Sequence, residues 1–108
     1  MSNFFSIIVP VLNQEKYIDE CLYSILNQKY KNYEIIIVDG KSNDGTLKKI
    51  RRIQKKYKKK IKLIINSKLS QAAAINLGIK LAKGQWITWQ NADDFYTSKN
   101  SFSYLNDS

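Results

Sequence analysis

Apolar residues in this chain fall into short continuous runs separated by spaced stripes. Ser6–Leu12 is a continuous run, the pattern of a fully buried parallel strand. Pro10 has no N–H to give a ladder, so the strand is expected to end near it. Asn13 is then read as a helix N-cap. Ile18, Leu22, Ile25 and Leu26 follow at i, i+4, i+7 and i+8, with Cys21 beside them, and predict a first amphipathic helix. Glu15, Asp19 and Glu20 fall early in that helix, where the dipole favours acids. Tyr33–Val38 is a second strand, richer still in β-branched residues. It runs into a dense turn signal, Asp39 to Thr46, in which Asp44 or Ser42 is placed to cap the next helix. In that helix Leu47, Ile50, Ile53 and Tyr57 form the apolar stripe, and Lys and Arg fill the rest. Ile61–Ile65 is a third strand, and residues 66–70 are a polar link. Gln71–Lys83 predicts a third helix, with Ala72, Ile75, Ile79 and Ala82 on one face and Gly84 as the C′ residue. Trp86–Gln90 is the fourth strand. Residues 97–108 are polar and add no further core element.

The resulting order is β-α-β-α-β-α-β. Strands alternating with helices predict an α/β fold with a mainly parallel sheet and right-handed crossovers. No internal repeat or long linker interrupts 108 residues, so residues 1–108 are read as one domain. A single Cys, Cys21, excludes an internal disulfide and suits a reducing compartment. Met1–Phe5 is too short and polar for a signal peptide, and no apolar stretch reaches the roughly 18 residues of a membrane span. There is no His, which removes His general bases and His-ligated metals. Chemistry must rest on carboxylates, amides, hydroxyls, amines and backbone groups.

Three of the strand ends carry polar clusters. Asn13 follows the first strand, Asp39 the second, and Asn91 to Asp94 the fourth. In a parallel sheet these ends share one edge, and open α/β sheets bind ligands there. A polar turn is the simplest account of any one cluster, but three on one edge point to a site. Asp and Asn oxygens are hard donors, suited to Mg²⁺ or Mn²⁺. Carboxylates, a divalent ion and nearby helix N-termini suit a phosphate-bearing ligand. Neither a Walker-type loop nor a G-x-G-x-x-G occurs, so the P-loop and dinucleotide readings lack support.

Four segments together resemble one family. They are S-I-I-V-P-V-L-N-Q-E-K-Y-I, E-I-I-I-V-D-G-K-S-N-D-G-T, A-I-N-L-G-I-K-L-A-K-G and N-A-D-D, in that order. The pattern is similar to the N-terminal, nucleotide-sugar-binding half of a family-2 glycosyltransferase with the GT-A fold, and it covers about Phe5 to Tyr96. The resemblance implies a donor such as a UDP-sugar and inverting transfer to a hydroxyl of a saccharide or lipid-linked acceptor, in cell-surface polysaccharide or glycolipid synthesis. Pro10 and Val11 would border base and ribose through their backbone, near Asn13. Asp39 would accept a hydrogen bond from the base, and Asp44 would cap its helix. Gln71 and Asn76 lie in the segment that borders the nucleotide-sugar, although Asn76 serves equally well to tie down its helix. Asn91-Ala92-Asp93 occupies the place of the family's D-x-D. Asn91 would approach the ribose or metal shell, and Asp93 and Asp94 would hold Mn²⁺ or Mg²⁺ against the diphosphate.

The chain also departs from the pattern. Asn91 replaces the first Asp of D-x-D, and Lys68 and Ser70 stand where relatives often have Asp and Gly. In the family the acceptor site and the catalytic base come from the half after D-x-D. This sequence runs only fourteen residues past Asp94, so no base is assigned, and the 108-residue chain by itself is expected to transfer no sugar. A non-catalytic nucleotide-binding remnant is the competing reading.

Net charge is +9 and unevenly spread. Ten of the 18 Lys and Arg lie between Lys48 and Lys62, and no acid occurs between Asp44 and Asp93. The simplest account is the solvated face of an amphipathic helix. Peripheral contact with an anionic membrane is a second. Nucleic acid is not an expected partner, because no recognition motif accompanies the charge. The implied location is cytoplasmic, at the inner face of the membrane if that contact is made.

Overall fold

The computed structural model describes residues 4–68 and 70–90. The order is β1 (Phe5–Val11), α1 (Ile18–Leu26), β2 (Tyr33–Asp39), α2 (Thr46–Lys56), β3 (Ile61–Ile65), α3 (Gln71–Leu81) and β4 (Trp86–Trp89). The four strands form one parallel sheet in the order β3-β2-β1-β4. The expected element order and parallel sheet are therefore both present.

The topology follows from handedness. The chain steps from β1 to β2 to β3 in one direction, then returns to the far side of β1. With right-handed crossovers, that reversal sends the third helix to the opposite face from the first two. Strand side chains alternate between faces, and the core divides accordingly. Phe5, Ile7, Val9, Val11, Ile35 and Ile37 pack with α1 and α2. Ile8, Ile36 and Val38 pack with Ala74 and Leu77 of α3.

β1 tolerates Pro10 for a geometric reason. Ile8 accepts the Gln90 N–H at 2.9 Å on the β4 side, and Val11 accepts the Gly40 N–H at 2.9 Å on the β2 side. Pro10 shares the direction of Ile8. Its missing donor thus faces the β4 side beyond the paired register, which ends at Ile8 and Trp89. The strand runs through Pro10 and ends at Val11, the next residue, so the expected end near Pro10 holds.

Three local expectations change. Asn13 does not cap α1; it sits at φ 52°, and α1 begins only at Ile18, after a turn closed by the Tyr17 and Ile18 N–H groups on the Gln14 carbonyl. The buried face of α3 is Ala74 and Gly78, whereas Ile79 is exposed. Close packing explains this: a Cβ on Gly78 would stand 2.6 Å from Ile8 Cγ2, so the helix presents its small residues to the sheet. Gly84 is not a left-handed cap, since no described glycine has positive φ. It is needed because a Cβ there would meet Ser6 N at 2.6 Å and the Phe4 carbonyl at 2.8 Å. α3 is capped by Ser70, whose Oγ accepts the Ala73 N–H at 3.2 Å.

A buried carboxylate joins the elements at the amino end of the sheet. Glu34 accepts the Ser6 hydroxyl at 2.7 Å and the Lys83 N–H at 2.7 Å, and Lys62 approaches at 3.3 Å. Burial pushes its pKa up, but these three partners outweigh burial and hold it below the ordinary glutamate value. β4 is bonded to β1, and its Trp86 and Trp89 are 55% and 50% exposed.

Candidate functional site

The carboxyl ends of β1 and β2 feed two loops that are laced together side chain to backbone. Asp39 ends β2 and is fully buried. One of its oxygens accepts the Ser42 N–H at 2.8 Å and the other the Ser42 hydroxyl at 2.6 Å. Ser42 Oγ in turn accepts the Asn13 N–H at 2.8 Å, and Asn13 Oδ1 accepts the Asn43 N–H at 2.9 Å. Non-glycine residues at positive φ are uncommon, and the two described here, Asn13 and Lys41, both lie in this pair of loops.

A second set of bonds continues toward α2. Thr46 Oγ1 accepts the Gln14 N–H at 2.8 Å and donates to Asp44 Oδ1 at 2.5 Å, which also accepts the Thr46 N–H at 2.9 Å. Glu15 accepts the Gly45 N–H at 2.8 Å. The Thr46 hydroxyl, above all, holds the Asp44 pKa below its ordinary value, against desolvation and with help from the Thr46 and Glu15 N–H groups. The expectation that Asp44 or Ser42 caps α2 is not met, since the N-cap is Gly45 with no side-chain cap; Asp44 instead stands one residue earlier and holds the first helical residue, Thr46, while Ser42 is bonded to Asp39. Glu15, Ser42 and Thr46 form a linked set that no local sequence pattern announces. The S-N-D-G-T run signals a turn, but only the fold shows that it pairs with the loop after β1.

The structure places the remaining candidates as follows. Pro10 and Val11 are buried in β1, and the Val11 carbonyl is taken by Gly40. Gln71 is exposed at the start of α3, on the opposite face of the sheet from α1 and α2. Asn13 and Asp39 are brought together through Ser42. The expectation that Asp39 meets a base directly now faces a fully buried carboxylate with both oxygens engaged. Asn91, Asp93 and Asp94 lie outside the described residues. Gln90, immediately before them, is buried at the carboxyl edge, with its amide 3.5 Å from Cys21 Sγ. Among the described residues no cluster of three or more Cys, Asp or Glu is arranged to hold a metal. The oxygen donors of Asn91, Asp93 and Asp94 remain of the type a hard divalent ion takes.

Sheets wound on both faces hold ligands in the crevice where strand order reverses, here between β1 and β4, so the chain falls in the class of doubly wound α/β ligand-binding domains. It belongs to glycosyl transferase family 2, whose model matches residues 6–103. It is 51% identical over 87 residues to the dolichyl N-acetyl-alpha-D-glucosaminyl phosphate 3-beta-D-2,3-diacetamido-2,3-dideoxy-beta-D-glucuronosyltransferase of Methanococcus voltae, covering 78% of this chain and 27% of that protein. The mannosyltransferase PcManGT of Pyrobaculum calidifontis, in complex with GDP-Man and Mn²⁺, superposes with a TM-score of 0.88 at 25% identity, over 95% of this chain and 31% of that one. S. aureus TarS in complex with UDP-GlcNAc gives 0.77 at 32% identity, over 94% and 29%. These neighbours are GT-A glycosyltransferases, so the expected fold type holds. The chain thus spans less than a third of the length of each of these three proteins.

Proposed function

We propose that this chain forms the donor-binding part of a glycosyltransferase that takes a nucleotide-diphospho-sugar, a UDP-sugar in the first instance, with Mn²⁺ or Mg²⁺. The transfer would be an inverting one to a hydroxyl of a saccharide or lipid-linked acceptor, in the synthesis of cell-surface polysaccharide or glycolipid. The observation that carries this reading is the match of 95% of the chain to the fold of an enzyme bound to GDP-Man and Mn²⁺.

The nucleotide would lie over the carboxyl ends of β1 and β4. Pro10 and Val11 would border base and ribose through the backbone, beside Asn13. Asp39 would serve this surface from beneath, by holding Ser42 and through it Asn13. Gln71 would approach from α3, and Asn91 and Asp93 from the segment after β4. Asp93 and Asp94 would hold the divalent ion. When bound, that ion neutralises charge on the departing diphosphate. No residue is assigned as the base.

Calorimetry with UDP, in Mn²⁺ and in EDTA, tests the reading. Tighter binding with metal is expected, and Asp93→Ala should abolish the difference. Equal affinity with metal and chelator, unchanged by Asp93→Ala, would overturn the metal assignment. No detectable binding of UDP, GDP or their sugars would overturn the donor site.

A further inference from the structure

Charge on this molecule is segregated by element. Residues 48–62 hold ten basic side chains and no acid. Three reach a described carboxylate: Lys49 and Arg52 approach Asp19 of α1 at 3.9 and 3.3 Å, and Lys62 approaches Glu34. Lys60 lies 4.4 Å from the Tyr33 ring and donates to the Lys31 carbonyl. Lys48, Arg51, Lys55, Lys56, Lys58 and Lys59 are exposed and form no ion pair with any described acid. Among the remaining described acids, Glu15 and Asp44 have loop partners, Asp39 is buried, and Glu20 is exposed on the first turn of α1.

Helical spacing gathers this charge into one surface. Lys48, Arg51, Arg52 and Lys55 stand at i, i+3, i+4 and i+7, turned away from buried Ile50 and Ile53. With Leu47 they line a shallow trough along α2. Adjoining troughs carry it on past Lys58 and through the turn to Lys60. The result is a broad basic strip with methylene walls, lying along the outer side of α2.

We propose that this strip docks the protein on an anionic lipid bilayer. Charge complementarity is the first argument, since unpaired Lys and Arg near such a surface are drawn to it. The predominance of cations over base-reading groups is the second. Tyr57 and Gln54 also line the strip, but both are half-buried: Tyr57 packs against the core and Gln54 donates to the Ile61 carbonyl at 3.1 Å. The third rests on the function proposed above: a lipid-linked acceptor lies at a membrane, and the Methanococcus voltae relative is named for a dolichyl-phosphate-linked substrate. Among the described residues no helix is long and apolar enough to cross a bilayer, so attachment by these residues would be peripheral.

Co-sedimentation with vesicles tests this. The probes are neutral phosphatidylcholine vesicles and vesicles with about a third phosphatidylglycerol. Binding is expected to the anionic vesicles alone and to weaken as salt rises. The triple substitution Lys48→Gln, Arg51→Gln, Lys55→Gln should lower partition roughly a hundredfold, with circular dichroism unchanged because all three side chains are exposed. A second triple, Lys56→Gln, Lys58→Gln, Lys59→Gln, should act in the same direction. Equal binding to both vesicle types, no binding, or full binding by both triples would overturn the proposal. So would a short RNA that binds the strip more tightly than the vesicles at the same salt and competes with them. UDP calorimetry on the same variants separates this from the donor site, since loss of vesicle binding with nucleotide binding intact is expected.

Discussion

Replacing Asp39 should loosen the site from within. Its carboxylate is fully buried and accepts two bonds from Ser42, at 2.8 and 2.6 Å. Asp39→Ala orphans both donors, and Ser42 itself is only 8% exposed. A buried donor left without an acceptor costs about 1–3 kcal/mol, so two should cost about 2–6 kcal/mol. Asp39→Asn keeps one carbonyl oxygen and orphans at most one donor, for about 1–3 kcal/mol. Against a typical stability of about 5–15 kcal/mol, the Asn variant should remain folded and the Ala variant be marginal. Urea unfolding is the assay, with midpoints compared at unchanged slope. The Ser42 bond to Asn13 makes a second readout available. UDP affinity of the folded Asn variant should fall, because the loop after β1 loses its anchor. Two variants of equal stability, or both within about 0.5 kcal/mol of the parent, would refute the assignment of both oxygens to Ser42.

Other predictions follow from the packing. Glu34→Gln should change the pH profile of stability. The folded pKa of Glu34 is lowered, so its contribution is complete above the unfolded value, about 4.3, and is lost as pH falls through the folded value; the advantage of the parent over the variant in thermal melts should therefore shrink on acidification. Gly84→Ala should lower the melting temperature markedly, because its Cβ would meet backbone atoms of Ser6 and Phe4 that no rotamer change can move. Gly78→Ala gains about 1 kcal/mol of helix propensity but drives a Cβ into Ile8. Overpacking costs about 1–3 kcal/mol, so a net loss is expected in urea, and a more stable variant would show that α3 can shift. Ser70→Ala should cost about 0.5–2 kcal/mol through the lost cap on α3.

The local sequence determined the element order on its own. Ile7 to Val9 and Ile35 to Val38 are β-branched runs, Ile61 to Ile65 is β-branched apart from Lys62 and Leu63, and the Ile18–Leu26 stripe has helical spacing throughout. Those signals are covalent neighbours read at short range, and they survive into the fold almost unchanged. The carboxyl-edge location of Asn13 and Asp39 followed from the same alternation, because a parallel sheet aligns all its strand ends. What the sequence did not carry was anything requiring two distant segments to meet. Asn13 looks like a helix cap until Ser42 and Asn43, about thirty residues away, claim its N–H and its side chain. Hydrophobicity ranks Ile79 above Gly78 as a core residue, yet only the tertiary structure decides how closely α3 approaches Ile8, and that closeness selects the residue without a side chain. The exposure of Trp86 and Trp89 is likewise a property of the strand order, since β4 has β1 on one side and carries the same aromatic side chains wherever it stands.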